Sequence, residues 1–233
     1  MYNLAKQARS AAADLDHSFM PRKLAGKRVL ITGVESALGQ AIARRFAWEG
    51  AHVALLSSAG IPDALRQSIQ QMRRICVTIN GDMRELDTCD RALDEALTAF
   101  DGLDILVNNP PERDSAMVGG VPPLAFATLY LTRNALRVMD AGGAIINTAF
   151  DDTVPAFTRS LAQVAAKHGV RVNAVAPAPL PPLTAANQDL RPATAPAPIA
   201  EDDLATSFVF LASSESAGMN GQLIDAADFV SVA

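Results

Sequence analysis

Sulfur and large aromatic rings are scarce in this 233-residue chain, which has two cysteines, one tryptophan and two tyrosines. Cys76 and Cys89 are too few for a disulfide framework, and their spacing matches no metal motif. They read as buried thiols of a reduced compartment, so a cytoplasmic location is expected. His17, His52 and His168 are the only histidines and form no pair at ligand spacing, so no metal site is expected. No apolar run reaches the ~18 residues of a membrane span, and the first residues lack the order of a signal peptide. Basic clusters are missing too. With 20 basic against 25 acidic residues the net charge is −5, and no stretch could build the positive face a nucleic-acid binder needs. Neither a Gly-x-Ser-x-Gly elbow nor a Cys–His nucleophile arrangement occurs. No segment repeats with a period of ~20–50 residues, which excludes solenoids and propellers.

What the chain has in quantity is apolar side chain, 49% of residues against 19% charged, enough for a large single core. Seven short, nearly continuous apolar runs read as strands buried on both faces: Arg28–Thr32, His52–Ser57, Cys76–Asn80, Leu103–Asn108, Ala144–Thr148, Arg171–Ala176 and Gln222–Asp225. Helical patterns alternate with them at Ala37–Glu49, Pro62–Arg74, Glu85–Phe100, Leu124–Met139, Val154–His168 and Asp202–Ser213. Strands alternating with helices of this length require right-handed crossovers and a parallel sheet covered on both faces. The expected fold class is therefore α/β, a doubly wound, Rossmann-like sandwich. Residues 1–24 read as an N-terminal extension and residues 25–233 as one domain. Residues 177–198 hold seven of the fourteen prolines, a composition that favours an extended loop. That loop follows a strand's carboxyl end, where doubly wound folds keep their ligands.

The first strand runs into Thr32-Gly33-Val34-Glu35-Ser36-Ala37-Leu38-Gly39 and then a helix. Such a turn lets backbone N–H groups and the helix dipole meet a pyrophosphate. The stretch GKRVLITGVESALGQAIARRFAWEGAHVALL from Gly26 resembles the opening of the short-chain dehydrogenase/reductase family. The resemblance continues through Gly81-Asp82, LDILVNN at Leu103–Asn109, GGAIIN at Gly142–Asn147, GVRVNAVAP at Gly169–Pro177 and FLAS…GMNGQLIDA at Phe210–Ala226. It covers about 200 residues in the family's order. It implies a seven-stranded parallel sheet, a nicotinamide dinucleotide across the strand ends, and carbonyl/alcohol redox chemistry. That chemistry uses a Tyr, a Lys four residues later, a Ser and an Asn.

Set against that pattern, the catalytic positions are empty. The family's Ser aligns with Phe150 and its Asn with Leu124. The helix segment that would carry Tyr and Lys has no counterpart, because only Asp151–Pro155 separate Phe150 from AFTRSLAQVAAKHG. Tyr130 has Asn134 four residues on. Tyr2 has Lys6 four residues on, but lies ahead of the first strand. No catalytic residue is assigned, and Asp151 and Asp152 read as helix caps. On the cofactor side, the middle glycine is Ala37, Ser57 and Ser58 stand where an Asp or Arg would meet the adenosine ribose, and Asn108-Asn109 run into Pro110-Pro111. Pro177-Ala178 replaces Pro-Gly, and the carboxamide-binding Thr aligns with Pro182. The surviving cofactor-binding candidates are Gly33, Gly39, Asp82 and Asn108. No cofactor is expected, with weak NAD(H) or NADP(H) binding as the alternative.

Intact buried strands without catalytic residues point to a non-catalytic subunit that pairs with an active family sibling or with itself. The helix Leu124–Met139, with apolar Leu124, Phe126, Leu129, Leu131, Leu136 and Met139, is the expected interface. The alternatives are an oxidoreductase with an atypical site, or a regulatory protein that binds a small ligand.

Overall fold

The computed structural model describes residues 22–111, 123–150, 153–177 and 199–225. Seven strands form one sheet in the order β3-β2-β1-β4-β5-β6-β7, and every neighbouring pair is parallel. The strands are β1 (Arg28–Ile31), β2 (His52–Ser57), β3 (Cys76–Asn80), β4 (Leu103–Asn108), β5 (Met139–Thr148), β6 (Arg171–Ala176) and β7 (Leu223–Asp225). The helices are α1 (Ala37–Trp48), α2 (Asp63–Gln71), α3 (Leu86–Phe100), α4 (Pro123–Ala135), α5 (Thr153–Ala165) and α6 (Glu201–Ala212). The doubly wound expectation is met.

The two faces of the sheet carry separate apolar layers. On one, α1, α2 and α6 cover Val29, Ile31, Val53, Leu55 and Ile105. On the other, α3, α4 and α5 cover Leu30, Leu56, Leu106, Ile145 and Val172. Successive residues of a strand point to opposite faces, so a strand covered on both sides is apolar at every position. Strand order reverses between β1 and β4, and that switch point opens a crevice at the carboxyl ends of both strands. Among the described residues no helix is long and apolar enough to cross a membrane.

Several boundaries differ from expectation. Leu24, assigned to the extension, is fully buried, and its N–H donates to the Glu49 carbonyl at 3.0 Å. The domain therefore begins before residue 25. The helix expected over Leu124–Met139 ends at Ala135, and residues 136–138 turn so that Met139 already pairs with Leu103 in the sheet. Apolar periodicity misled here because Leu136 and Met139 enter the same core as the helix without being helical. Tertiary packing can supply apolar spacing across a turn. The helix over Val154–His168 gives way to a 3-10 turn, Ala166–His168, closed by Gly169 at φ 69°. A glycine in the left-handed conformation is a common way for a helix to end.

At the sheet's other end, Arg28 Nε donates to Asp104 Oδ2 at 2.8 Å, and the Arg28 backbone N–H donates to the same oxygen at 2.9 Å. This pair ties the start of β1 to β4. Burial works against charge at Asp104, yet the Arg28 hydrogen bonds outweigh it and hold the carboxyl below its ordinary value.

Candidate functional site

The crevice begins with the turn after β1. Ser36 caps α1, accepting from the Gly39 N–H at 3.0 Å, as a serine ahead of a helix should. Gly33 has φ +67°, and a Cβ built on it would lie 1.6 Å from the Asn109 carbonyl oxygen. A Cβ on Gly39 would lie 2.3 Å from the Gly33 carbonyl oxygen. Both glycines are therefore required by contacts inside the protein, whether or not a ligand binds. Ala37, the position that would approach a pyrophosphate, is exposed at the first residue of α1.

Asn109 welds this turn to two other strands. Its Nδ2 donates to the Gly33 carbonyl at 3.1 Å and to Ser36 Oγ at 3.0 Å, and its backbone N–H donates to Thr32 Oγ1 at 3.1 Å. Its Oδ1 accepts from Thr148 Oγ1 at 2.9 Å. Sequence reading noted Asn109 only as part of a changed motif and missed this junction, because its partners lie 39 to 77 positions away.

The other two predicted cofactor residues also sit at carboxyl strand ends; both Asp82 oxygens are engaged within the protein, whereas Asn108 is bonded through Nδ2 and its buried Oδ1 has no partner among the described residues. Asn108 is fully buried, and its Nδ2 donates to Thr132 Oγ1 at 3.0 Å and Asn147 Oδ1 at 2.9 Å. Asn147 Nδ2 in turn donates to Thr158 Oγ1 at 3.0 Å, so the chain of bonds links α4, β4, β5 and α5. Asp82 follows β3 and accepts from Arg84 Nη2 at 2.6 Å and the Arg84 backbone N–H at 2.9 Å. The Arg84 side-chain bonds hold the Asp82 carboxyl below its ordinary value.

At the tip of β2 the two serines part company. Ser57 is buried and donates to the Gly60 carbonyl at 2.7 Å, closing its own turn. Ser58 Oγ donates to Glu35 Oε1 at 3.1 Å, drawing a carboxylate from the glycine turn to the end of β2. Glu35 Oε2 is shielded from solvent and has no partner among the described residues. Sequence reading passed over Glu35. An acid inside the glycine turn opposite two serines was the available signal.

The nicotinamide end is apolar. Pro110 and Pro111 follow Asn109, Phe150 lies two residues past the end of β5 where a hydroxyl would be needed, and Pro177 follows β6; all four are partly exposed. Tyr130, the one described tyrosine, lies between helices, where its hydroxyl donates to Asp90 Oδ2 on α3 at 2.8 Å. That bond raises the phenol above its ordinary value, the wrong direction for proton transfer at neutral pH. Tyr2, Asp151, Asp152, Ala178 and Pro182 lie outside the described residues. A groove of about 540 Å³ lies elsewhere, along α3 and Val77, lined by Asp87, Asp90, Asp94 and Glu95. Its acidity makes it a poor place for an anionic dinucleotide. Among the described residues no cluster of His, Cys, Asp or Glu could hold a metal.

A dinucleotide would thus meet a mixed site: an oriented turn and a helix N-terminus for its adenosine half, and proline and phenylalanine at the other end. Sheet order, switch point and glycine turn together define a dinucleotide-type α/β protein. Residues 27–117 match the short chain dehydrogenase family model, and residues 152–227 match the model described as enoyl-(acyl carrier protein) reductase. The intervening residues 118–151 carry α4, β5 and Phe150. General stress protein 39 of Bacillus subtilis (strain 168) is 33% identical, the match covering 87% of this chain and 83% of that protein. Glucose and ribitol dehydrogenase of Daucus carota is 30% identical, over 87% and 84% of the two chains. A crystal structure of a short chain dehydrogenase from Burkholderia cenocepacia J2315 in complex with NADP superposes with a TM-score of 0.73 at 26% identity, over 87% of this chain and 97% of that one. The chain belongs to the short-chain dehydrogenase/reductase family.

Proposed function

We propose that this chain is a non-catalytic member of its family, one that holds a dinucleotide weakly and serves as a partner subunit for an active sibling or for itself. The observation that carries this reading is the absence of a proton donor at the described strand ends. Phe150 stands just past the end of β5, and the hydroxyl of Tyr130 is committed to Asp90. Losing a general acid costs about 10²–10⁴ in rate, and losing its partners as well leaves little beyond binding. A bound nicotinamide would supply a hydride. The residues of this chain would position the adenosine half at the α1 N-terminus, and none of those described at the strand ends passes a proton to a carbonyl oxygen. Two free thiols, each pushed by burial to about 11, agree with a reducing cytoplasmic setting.

A second reading, an oxidoreductase with an atypical site, is favoured by its relatives, which carry dehydrogenase and oxidoreductase names. One assay separates the two. The purified chain is offered NADH or NADPH with a panel of aldehydes and ketones, and NAD or NADP with alcohols. No turnover above a heat-killed control is expected. Cofactor-dependent turnover overturns the first reading in favour of the second.

A further inference from the structure

We propose that the free edge of β3, with the groove beside it, docks an extended segment of a partner chain that carries lysine or arginine at alternate positions. The surface lies away from the crevice, and the proposal does not depend on whether the chain turns over or holds a nucleotide. β3 ends the strand order and pairs only with β2. In a parallel ladder alternate residues turn their N–H and C=O toward the neighbouring strand, and the residues between turn theirs away. The Val53 N–H donates to the Ile75 carbonyl at 3.0 Å, and the Gly81 N–H donates to the Ser57 carbonyl at 3.0 Å. With Val53 opposite Cys76 and Ser57 opposite Asn80, the inward set is Ile75, Val77, Ile79 and Gly81. The backbone groups of Cys76, Thr78 and Asn80 therefore point off the sheet. Arg91 Nη2 donates to the Asn80 carbonyl at 2.8 Å and closes the carboxyl end. Among the described residues nothing covers the outward groups of Cys76 and Thr78.

An unpaired row of N–H and C=O groups is a template for another strand, and proteins blunt it with charge, proline or a bulge. Cys76-Val77-Thr78-Ile79-Asn80 has no charge and no proline, and its register with β2 is unbroken. Thr78 and Asn80 are exposed. The edge is open, and the groove says what fits it. Val77 packs on the α3 side of the sheet and lines that groove. Positions 87, 90, 91, 94, 95 and 98 recur at three- and four-residue spacing, so one stripe of α3 forms the facing wall. Asp87, Asp94 and Glu95 reach solvent and form no ion pair among the described residues. The cation of the groove, Arg91, is turned to Asn80. A strand added to β3 sends every second side chain to this face, where a cation meets three open carboxylates over a floor of Val77 and Ala99. A second copy fits poorly. Antiparallel pairing of two β3 edges, about an axis perpendicular to the sheet, sets one acidic stripe against the other.

The test is calorimetric titration of the full chain with three acetylated seven-residue peptides that alternate valine with lysine, glutamate or serine. The lysine peptide is expected to bind about tenfold or more tightly than the glutamate peptide at low salt, the gap narrowing as salt rises. Thr78→Pro removes an outward N–H that the sheet does not use, so it should melt near the parent and bind the lysine peptide at least about fivefold more weakly. The lysine peptide N-methylated throughout, which donates no backbone hydrogen bond, should lose binding to the parent and repeats that test without altering the protein. Asp94→Asn with Glu95→Gln should narrow the lysine-to-glutamate ratio and leave the serine peptide unchanged. No binding of the lysine peptide overturns the proposal, as does equal binding of the glutamate peptide or undiminished binding of the N-methylated one. A parent dimer that Thr78→Pro dissolves, with no peptide bound, overturns it in favour of a second copy. The turnover assay is untouched by each of these results, so the non-catalytic reading is judged separately.

Discussion

Replacing Gly33 with alanine should unfold the protein more readily even when no nucleotide is present. The added methyl would lie 1.6 Å from the Asn109 carbonyl oxygen and 2.8 Å from its carbonyl carbon, both backbone atoms that cannot swing aside. The residue also sits at φ +67°, a left-handed conformation that costs an alanine about 1–2 kcal/mol. Relieving the overlap means parting the ends of β1 and β4. That movement breaks the Asn109 Nδ2 bonds to the Gly33 carbonyl (3.1 Å) and Ser36 Oγ (3.0 Å), worth about 1 kcal/mol each. The sum is about 3–4 kcal/mol, which lowers Tm by roughly 6–16 °C in a chain of this size. Differential scanning calorimetry of Gly33→Ala without nucleotide measures it. The control is Ala37→Gly, an exposed site at the start of α1, where a change of under about 1 kcal/mol is expected. A Gly33→Ala protein that melts within about 2 °C of the parent would refute the argument. The glycine would then have to be explained by a ligand, and the case for a bound dinucleotide would strengthen.

Asp104→Asn should cost about 1–3 kcal/mol at neutral pH, because two bonds from Arg28 lose their charged acceptor. The folded carboxyl is held below its ordinary value of 3.8, so this stability is complete above that pH and is lost as pH falls through the depressed folded value. Urea unfolding of parent and variant should therefore converge in acid, and a gap that widens there contradicts the assignment. Arg171→Met should destabilise by about 1–3 kcal/mol, since the guanidinium serves the carbonyls of Leu211, Ser213 and Ser216 and forms no ion pair among the described residues. An unchanged denaturation midpoint would show that water replaces it. On α4, Phe126 is 51% and Leu129 40% exposed, while Leu124 and Leu131 are buried. If that face joins two copies, with about 800 Å² covered per partner, light scattering should find a dimer for the parent and a monomer for Leu129→Asp with unchanged circular dichroism. A monomeric parent would remove self-association and leave a sibling as the only subunit partner.

The sequence by itself determined the layered fold. Runs such as Val29–Ile31 and Ile105–Val107 are too short for helices and too apolar for one-sided strands, and four strands, β2, β3, β4 and β6, were placed to the residue. Composition also fixed the supply of tyrosine, so the search for a proton donor could be exhaustive. Tertiary structure alone decided what each retained residue is for. Gly33 and Gly39 look like a ligand-binding turn in one dimension, but contact with the Asn109 backbone, far along the chain, makes Gly33 obligatory for packing, and the Gly33 carbonyl does the same for Gly39. Asn108 looks like a cofactor residue until its amide is seen bonded to Thr132 and Asn147 in the core. The apolar stripe of Leu124–Met139 divides into a buried set and an exposed pair only once the chain turns at residue 136. Glu35 meets Ser58, 23 positions on, because β1 and β2 lie side by side and the turn after β1 falls beside the end of β2. Periodicity along a chain reports which side of an element is buried. It carries no information on which distant atom fills the space beside a given residue, and that contact separates a structural glycine from a ligand-binding one.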